Sequence, residues 1–461
     1  MRESIAGTSW VAPAVAALPY SFLMQSAAPA TQDRGPFLAL MGANAVSQVG
    51  NMMTSVAVPW LVLETTGSAV LVGLTGAAIA IGWVVPAILG GPLVDRLGLR
   101  RISVASDIAS CAAVIAIPLL QLLGALEFWH IILLVLLLSS FNAQGQTGRF
   151  ALIPPLASRA SMSLERANSA DRAIARAGQL IGPVLAGVLI AVIGPSNVLF
   201  LDAGTFALSA LFVAVGIPSG AVARAAVAEP TTSTYGTDLS QGLRFVAGNR
   251  LILSMMLLAL VGNFFDVPLL TVVLPVYAEQ IFGSPTSLGL MLGSFAAGAM
   301  VGTILFGAIG RGLPRRRLFL WGWLLAVLIS YGALAAQVPL AAIVLAGIVG
   351  GLVAGPINPI LETVVQENTP PELMGRVFGV FIALAQAGIP FGAAIAGLVI
   401  EGAGLIPTIA TVGALYVVVV ALMFFNPALK RMDARPMRGE EPVPAEAAPQ
   451  ARSSATMKAG L

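Results

Sequence analysis
Two residue types that build most metal and redox sites are nearly missing from this 461-residue chain, which has one cysteine, Cys111, and one histidine, His130. A disulfide within the chain is impossible, and a His/Cys zinc site is excluded. Charge is scarce too. Asp, Glu, Lys and Arg make up 10% of the residues, against roughly 25% in ordinary soluble proteins. With 24 basic and 21 acidic side chains, a water-soluble globule of this length could not clothe its surface. The GxxxxGK[ST], HExxH and GxSxG patterns are also absent, which removes phosphate-loop, zinc-protease and serine-hydrolase readings. No cofactor and no metal are expected.

What fills the chain instead is apolar: 57% of residues are hydrophobic, with a mean hydropathy of +0.92. A bilayer core takes about 20 apolar helical residues to cross. Twelve such runs lie near 37–63, 68–91, 102–124, 128–153, 172–193, 197–216, 251–277, 286–309, 317–336, 339–362, 377–400 and 405–426. The fourth is the least regular, because 141–149 is polar. In hydrocarbon an open chain satisfies its backbone only as helix, so the expected fold is all-α.

Assigning the loops alternately to two sides separates the charges. One side receives Arg96, Arg100, Arg101, Arg159, Arg166, Arg244, Arg315, Arg376 and the basic residues of the tail, while the other has only Glu64, Glu127, Glu279, Glu401 and His130. Arg149, Arg172 and Arg176 fall inside the ends of spans on the basic side. The positive-inside rule then places both termini in the cytoplasm. The formal charge of +3 and pI near 9.3 follow from topology and attraction to anionic lipid, not from a nucleic-acid face. Residues 1–36 are expected as a disordered extension and 428–461 as a disordered tail, since Pro, Ala and charged residues interrupt any packed pattern there.

A polar linker, 217–250, divides six spans (37–216) from six (251–427). Arg166, Gly178, Gly182 and Gly187 recur as Arg376, Gly388, Gly392 and Gly397, all at an offset of 210, and the loop Gly91–Arg101 recurs as Gly307–Arg317 at 216. Parallel six-helix repeats are the build of rocker-type transporters with a midplane site between halves.

The loop GPLVDRLGLRR at 91–101 closely matches the loop signature of the major facilitator superfamily, and Gly178-x3-Gly182-Pro183-x3-Gly187 resembles its antiporter motif. The stretches LETTGSA (63–69), FLDAGTF (200–206) and QENTPPELMGRVFG (366–379) resemble the twelve-span exporter branch that holds macrolide, multidrug and siderophore exporters. The likeness covers about 37–427 and implies two six-helix bundles and secondary transport by a monomer of the inner membrane. The RxxQG pattern of many drug antiporters is absent from the fourth span, where Arg149 is the one arginine before the helix end.

Individual residues sharpen this reading. Gly91 and Gly98 permit a tight turn, and Asp95 beside Arg96, Arg100 and Arg101 is expected to latch the halves in one state. The glycines of the fifth span share nearly one face and allow close helix approach, and Pro183 permits a bend. Asp266, midway along its span and near Asn263, is the leading candidate to couple proton entry to substrate release. Asp107 and Arg149 are placed to pair, either as a structural ion pair or as a relay. Glu362, one turn from Asn358, is a further cavity acid. Asn44, Gln48, Asn51 and Ser55 form a polar stripe expected to line the cavity, the alternative being bonds to a neighbouring helix. Asp202, Glu64 and His130 are expected at the hydrated outer boundary.

The function expected is proton-driven efflux of drugs or similar amphipathic compounds, with export of an endogenous metabolite such as a siderophore as the alternative. A membrane enzyme would need His, Cys or paired carboxylates gathered at one depth, and a receptor would need a large folded soluble region; neither is written here.

Overall fold
The computed structural model describes residues 33–89, 98–218, 235–310 and 312–433, and these contain helices and turns with no strand. The first six helices are α1 (Gly35–Thr66), α2 (Ala69–Leu89), α3 (Leu99–Leu122), α4 (Phe128–Arg159), α5 (Leu164–Ile193) and α6 (Pro195–Gly216). A short α7 (Tyr235–Gly248) precedes α8 (Arg250–Phe282), α9 (Pro285–Ile309), α10 (Arg315–Ala335), α11 (Leu340–Glu367), α12 (Pro371–Ala403) and α13 (Leu405–Phe424). Among the described residues, eleven of these helices are long and apolar enough to cross a bilayer, and the 21-residue α2 occupies the twelfth place.

Several helices outrun their apolar stretch. α4 continues through Pro154 and Pro155 to Arg159, and α5 starts at Leu164, where the Ser163 hydroxyl accepts from the Arg166 N–H. Helical backbone thus carries Arg166, Arg172 and Arg176 toward the bundle. Within 217–250, expected as linker throughout, α7 packs on α12, and Gly242 permits this: a Cβ there would stand 2.8 Å from the Arg376 carbonyl. α8 is irregular, with π-type turns at Leu269–Val273 and Ala278–Phe282 around Pro268 and Pro275. Proline lacks an N–H and crowds the preceding turn, and a widened turn absorbs both.

Turns at one end of the bundle use Gly67, Gly124, Gly194, Gly283 and Gly404, all at positive φ, and this end is free of arginine. The opposite end carries Arg100, Arg159, Arg315 and Arg376.

The halves are built alike. α1 packs on α5 and α6, and α3 on α4 and α6; across the divide α2 packs on α12 and α5 on α9. Pro59, Gly67 and Gly73 have counterparts in Pro275, Gly283 and Gly289, again at an offset of 216. The correspondence reaches single hydrogen bonds: Arg100 donates to the Ala214 carbonyl at 2.6 Å, and Arg316 to the Phe424 carbonyl at 2.6 Å. Each arginine thereby satisfies a carbonyl that the last turn of its half leaves without an intrahelical partner.

Candidate functional site
The glycine repeats define how the halves meet. Gly178 and Gly182 face Gln48 and Met52 of α1, while Gly388 and Gly392 face Leu260 and Phe264 of α8, each pair within its own half. The third glycine of each set turns to the other half. A Cβ on Gly187 would lie 2.6 Å from the Pro285 carbonyl and 3.1 Å from the Gly289 Cα; one on Gly397 would lie 2.5 Å from the Ala69 carbonyl and 3.0 Å from the Val70 Cα. Gly73 and Gly289 are the reciprocal small residues of these two crossings. The hydrogen bonds that described residues make between the halves lie here as well: Ser68 Oγ to Glu401 Oε2 at 2.7 Å, Val70 N–H to Glu401 at 3.2 Å, and Thr286 Oγ1 to the Gly187 carbonyl at 3.4 Å. All belong to the arginine-free end.

Away from those crossings the C-terminal half encloses a cavity of about 350 Å³. Asp266 lines it together with Asn263, Asn358, Trp323, Tyr331 and Phe295. Asp266 is held by a directional chain: the Trp323 indole N–H donates to Tyr416 Oη at 2.5 Å, and the Tyr416 hydroxyl donates to Asp266 Oδ2 at 2.8 Å. Stacking of Phe265 on Tyr416, with ring centroids 4.7 Å apart, fixes the phenol. The Tyr331 hydroxyl ties to the Phe265 carbonyl at 3.1 Å, and Asn263 to the Ala385 carbonyl at 2.9 Å. Among the described residues no Lys or Arg pairs with Asp266. Glu362 and Asn358 are exposed, one turn apart on α11.

In the N-terminal half the buried acid has a counter-ion. Arg149 Nη1 lies 2.5 Å from Asp107 Oδ1, with both side chains buried. Ser209 donates to Asp107 Oδ2 at 2.7 Å, and Arg149 Nη2 reaches Ser47 Oγ at 3.3 Å. The counter-ion and these hydrogen bonds compensate much of the cost of burying the two charges, while the Arg149 Nε–H is left without a partner.

The polar stripe of α1 divides. Asn51 exchanges hydrogen bonds with Asn142 of α4, at 2.6 and 3.4 Å, so it serves helix contact rather than cavity lining. Asn44 donates to Asp171 at 2.7 Å and, with Gln48, borders a second cavity of about 130 Å³. Ser55 is exposed and bonds to the Met52 carbonyl.

One expectation needs correction. Asp202 is not at a hydrated boundary; it is fully buried, accepting from the Thr54 and Thr205 hydroxyls. The slot exists because residue 50 of the facing helix is glycine, and a Cβ there would collide with Asp202 and Thr205. His130 lies in the first turn of α4 at the arginine-free end and is half-buried, accepting there from the Glu127 N–H at 3.1 Å. Of the loop expected as a latch, Gly91, Asp95 and Arg96 lie outside the described residues; Gly98, at φ 81°, precedes α3, and Arg101 is exposed.

Trp323, Tyr331, Tyr416, Ser209 and Arg176 are site residues that sequence reasoning missed. The repeat offsets carry a signal for two of them: Trp323 occupies the position of Asp107, and Tyr416 that of Phe206.

Twin six-helix halves crossing at one end beside an interior cavity are the architecture of a polytopic membrane transport protein. The chain belongs to the transmembrane secretion effector family of the major facilitator superfamily, whose family model matches residues 25–454. It is 31% identical over 405 residues to the multidrug efflux pump Tap of Mycolicibacterium fortuitum, covering 87% of this chain and 98% of that protein. To the multidrug efflux pump Tap of Mycobacterium tuberculosis it is 32% identical over 408 residues, covering 88% and 96%. The crystal structure of nucleoside transporter NupG superposes with a TM-score of 0.67 at 14% identity, covering 86% of this chain and 99% of that one, a likeness of fold.

Proposed function
We propose that the protein exports drugs or similar amphipathic organic compounds across the inner membrane, driven by inward proton flow, as a monomer with both termini in the cytoplasm. The observation that carries this reading is Asp266: a carboxyl with no counter-ion among the described residues, within the span, lining a largely apolar and aromatic cavity. An acid in a membrane span defaults to function because its burial is costly. Held only by a phenol hydroxyl, it can exchange a proton when the cavity changes sides, whereas Asp107 is already neutralised by Arg149.

The remaining geometry supports alternating access. Both glycine crossings sit at the arginine-free end, which the positive-inside rule makes the outer face. The protein described is therefore closed outward, and its cavity belongs to the inward-facing state. A proton entering down a 100 mV potential supplies about 2.3 kcal/mol from voltage alone. The names of the Tap relatives favour drugs as cargo.

Expression in a pump-deficient bacterium tests the proposal. Dye and antibiotic accumulation should fall, an uncoupler should restore it, and Asp266→Asn should retain the folded protein while losing uncoupler-sensitive export. Unaltered proton-driven export by Asp266→Asn would remove the coupling role. Loss of export with no effect of uncoupler on the parent protein would remove the proton.

A further inference from the structure
One side chain from the N-terminal half lines the cavity of the other half, and it is a guanidinium. Arg176 of α5 borders the same space as Asp266. Its position follows from helix geometry: Arg176 precedes Gly187 by eleven residues, three turns, so both share the face of α5 turned toward α9. Arg176 lies twelve residues from the start of α5 and Asp266 sixteen from the start of α8, and both side chains border the one space. Arg176 is exposed and lies four residues inside the apolar stretch 172–193, near its arginine-bearing end. Arg176 Nη1 donates to Gln179 Oε1 at 3.2 Å on its own helix, which engages one of five N–H donors. Its repeat counterpart is Gln386, so the charge is confined to one wall.

We infer that Arg176 is a specificity-determining residue that receives an anionic group of the cargo while the carboxyl of Asp266 faces its amine, so that amphipathic zwitterions are the favoured substrate class. The inference rests on the export reading above. Opposite charges on opposing walls complement a molecule carrying both signs, and a planar guanidinium offers a carboxylate two parallel N–H donors. A zwitterion also bridges the halves, contacting both only while they stand as they do here. A cation lacking the acid group would touch Asp266 and the aromatic wall but forgo the second anchor.

Everted membrane vesicles loaded through a proton gradient test this with norfloxacin, a zwitterion, and its methyl ester, a cation of nearly the same shape. The parent protein should move both. Arg176→Ala should cut norfloxacin transport about tenfold or more, the loss expected for a charge-assisted hydrogen bond, and leave ester transport within about twofold. Arg176→Lys should restore part of the norfloxacin rate, since the charge returns without the planar fork. Equal losses for both compounds, or none for either, would overturn the inference, as would a parent protein that moves the ester alone; in each case export itself still stands. A parent protein that moves neither compound and no dye would instead bring down the export reading, and this inference with it.

Discussion

Replacing Gly187 by alanine probes the rocking motion directly. The added methyl would sit 2.6 Å from the Pro285 carbonyl and 3.1 Å from the Gly289 Cα. Carbon contacts relax only near 3.4 Å or beyond, so α5 and α9 must part by about 0.8 Å. Overpacking of this kind costs ~1–3 kcal/mol. On the proposed topology the cost is paired to one state, because the crossing closes the arginine-free end here and must open when the cavity faces that side. The equilibrium should therefore shift toward the outward-facing form by a factor of about 5 to 150. Gly397→Ala, at the twin crossing, should shift it the same way, its Cβ meeting the Ala69 carbonyl at 2.5 Å. Gly178→Ala is the control: it presses on Gln48 within the same half and should lower stability without favouring either state. In a Cys111→Ser background, a reporter cysteine at Asn358 can be alkylated from the cytoplasmic side in inside-out vesicles. Its rate should fall in Gly187→Ala and Gly397→Ala but not in Gly178→Ala. Unchanged or faster labelling in both crossing variants, at normal protein levels, refutes the assignment of these glycines to the closed outer gate.

Other consequences can be measured on the purified protein. Asp107→Asn or Arg149→Gln alone leaves a buried charge uncompensated, a loss of ~3–5 kcal/mol visible as a lower thermal midpoint in detergent, and the double variant should recover part of it. Asp202→Leu strands the Thr54 hydroxyl, while the Thr205 hydroxyl keeps its bond to the residue 202 carbonyl, and should cost ~1–3 kcal/mol, whereas Asp202→Asn, which keeps hydrogen-bonding capacity, should cost less. Tyr416→Phe removes the donor to Asp266 while keeping the stack on Phe265. It should leave dye binding near normal and alter the pH profile of transport, and an unchanged profile would mean that the phenol does not tune the acid.

The helices were legible because lipid permits little else: each run of apolar residues must close its own backbone. Even so, helix ends were misplaced where polar sequence stays helical, as at residues 164–171 of α5, because the first turns there stand clear of any apolar signal. The glycine spacing in α5 and α12 was visible as a repeat, but which glycine faces which half depends on helix rotation, and only the packing settles that. Asp202 was misjudged for a related reason. Its environment is made by Gly50, some 150 residues upstream, whose missing side chain leaves the slot. Trp323 and Tyr416 read as ordinary core aromatics, and their hydrogen-bonding roles emerge only when α10 and α13 meet beside Asp266. α7 was hidden by its glycines, one of which turned out to be the point of contact with α12.

The paired arginines at the C-terminal ends of α6 and α13 bear on how such a protein is assembled. Arg100 anchors the Ala214 carbonyl and Arg316 the Phe424 carbonyl, so each bundle finishes its own final turn without borrowing from its neighbour. A chain cut between residues 218 and 235 then leaves the last turn of each bundle complete. Two polypeptides made from separate messages and divided there should find one another in the bilayer through the Gly73–Gly397 and Gly187–Gly289 contacts and work as one machine.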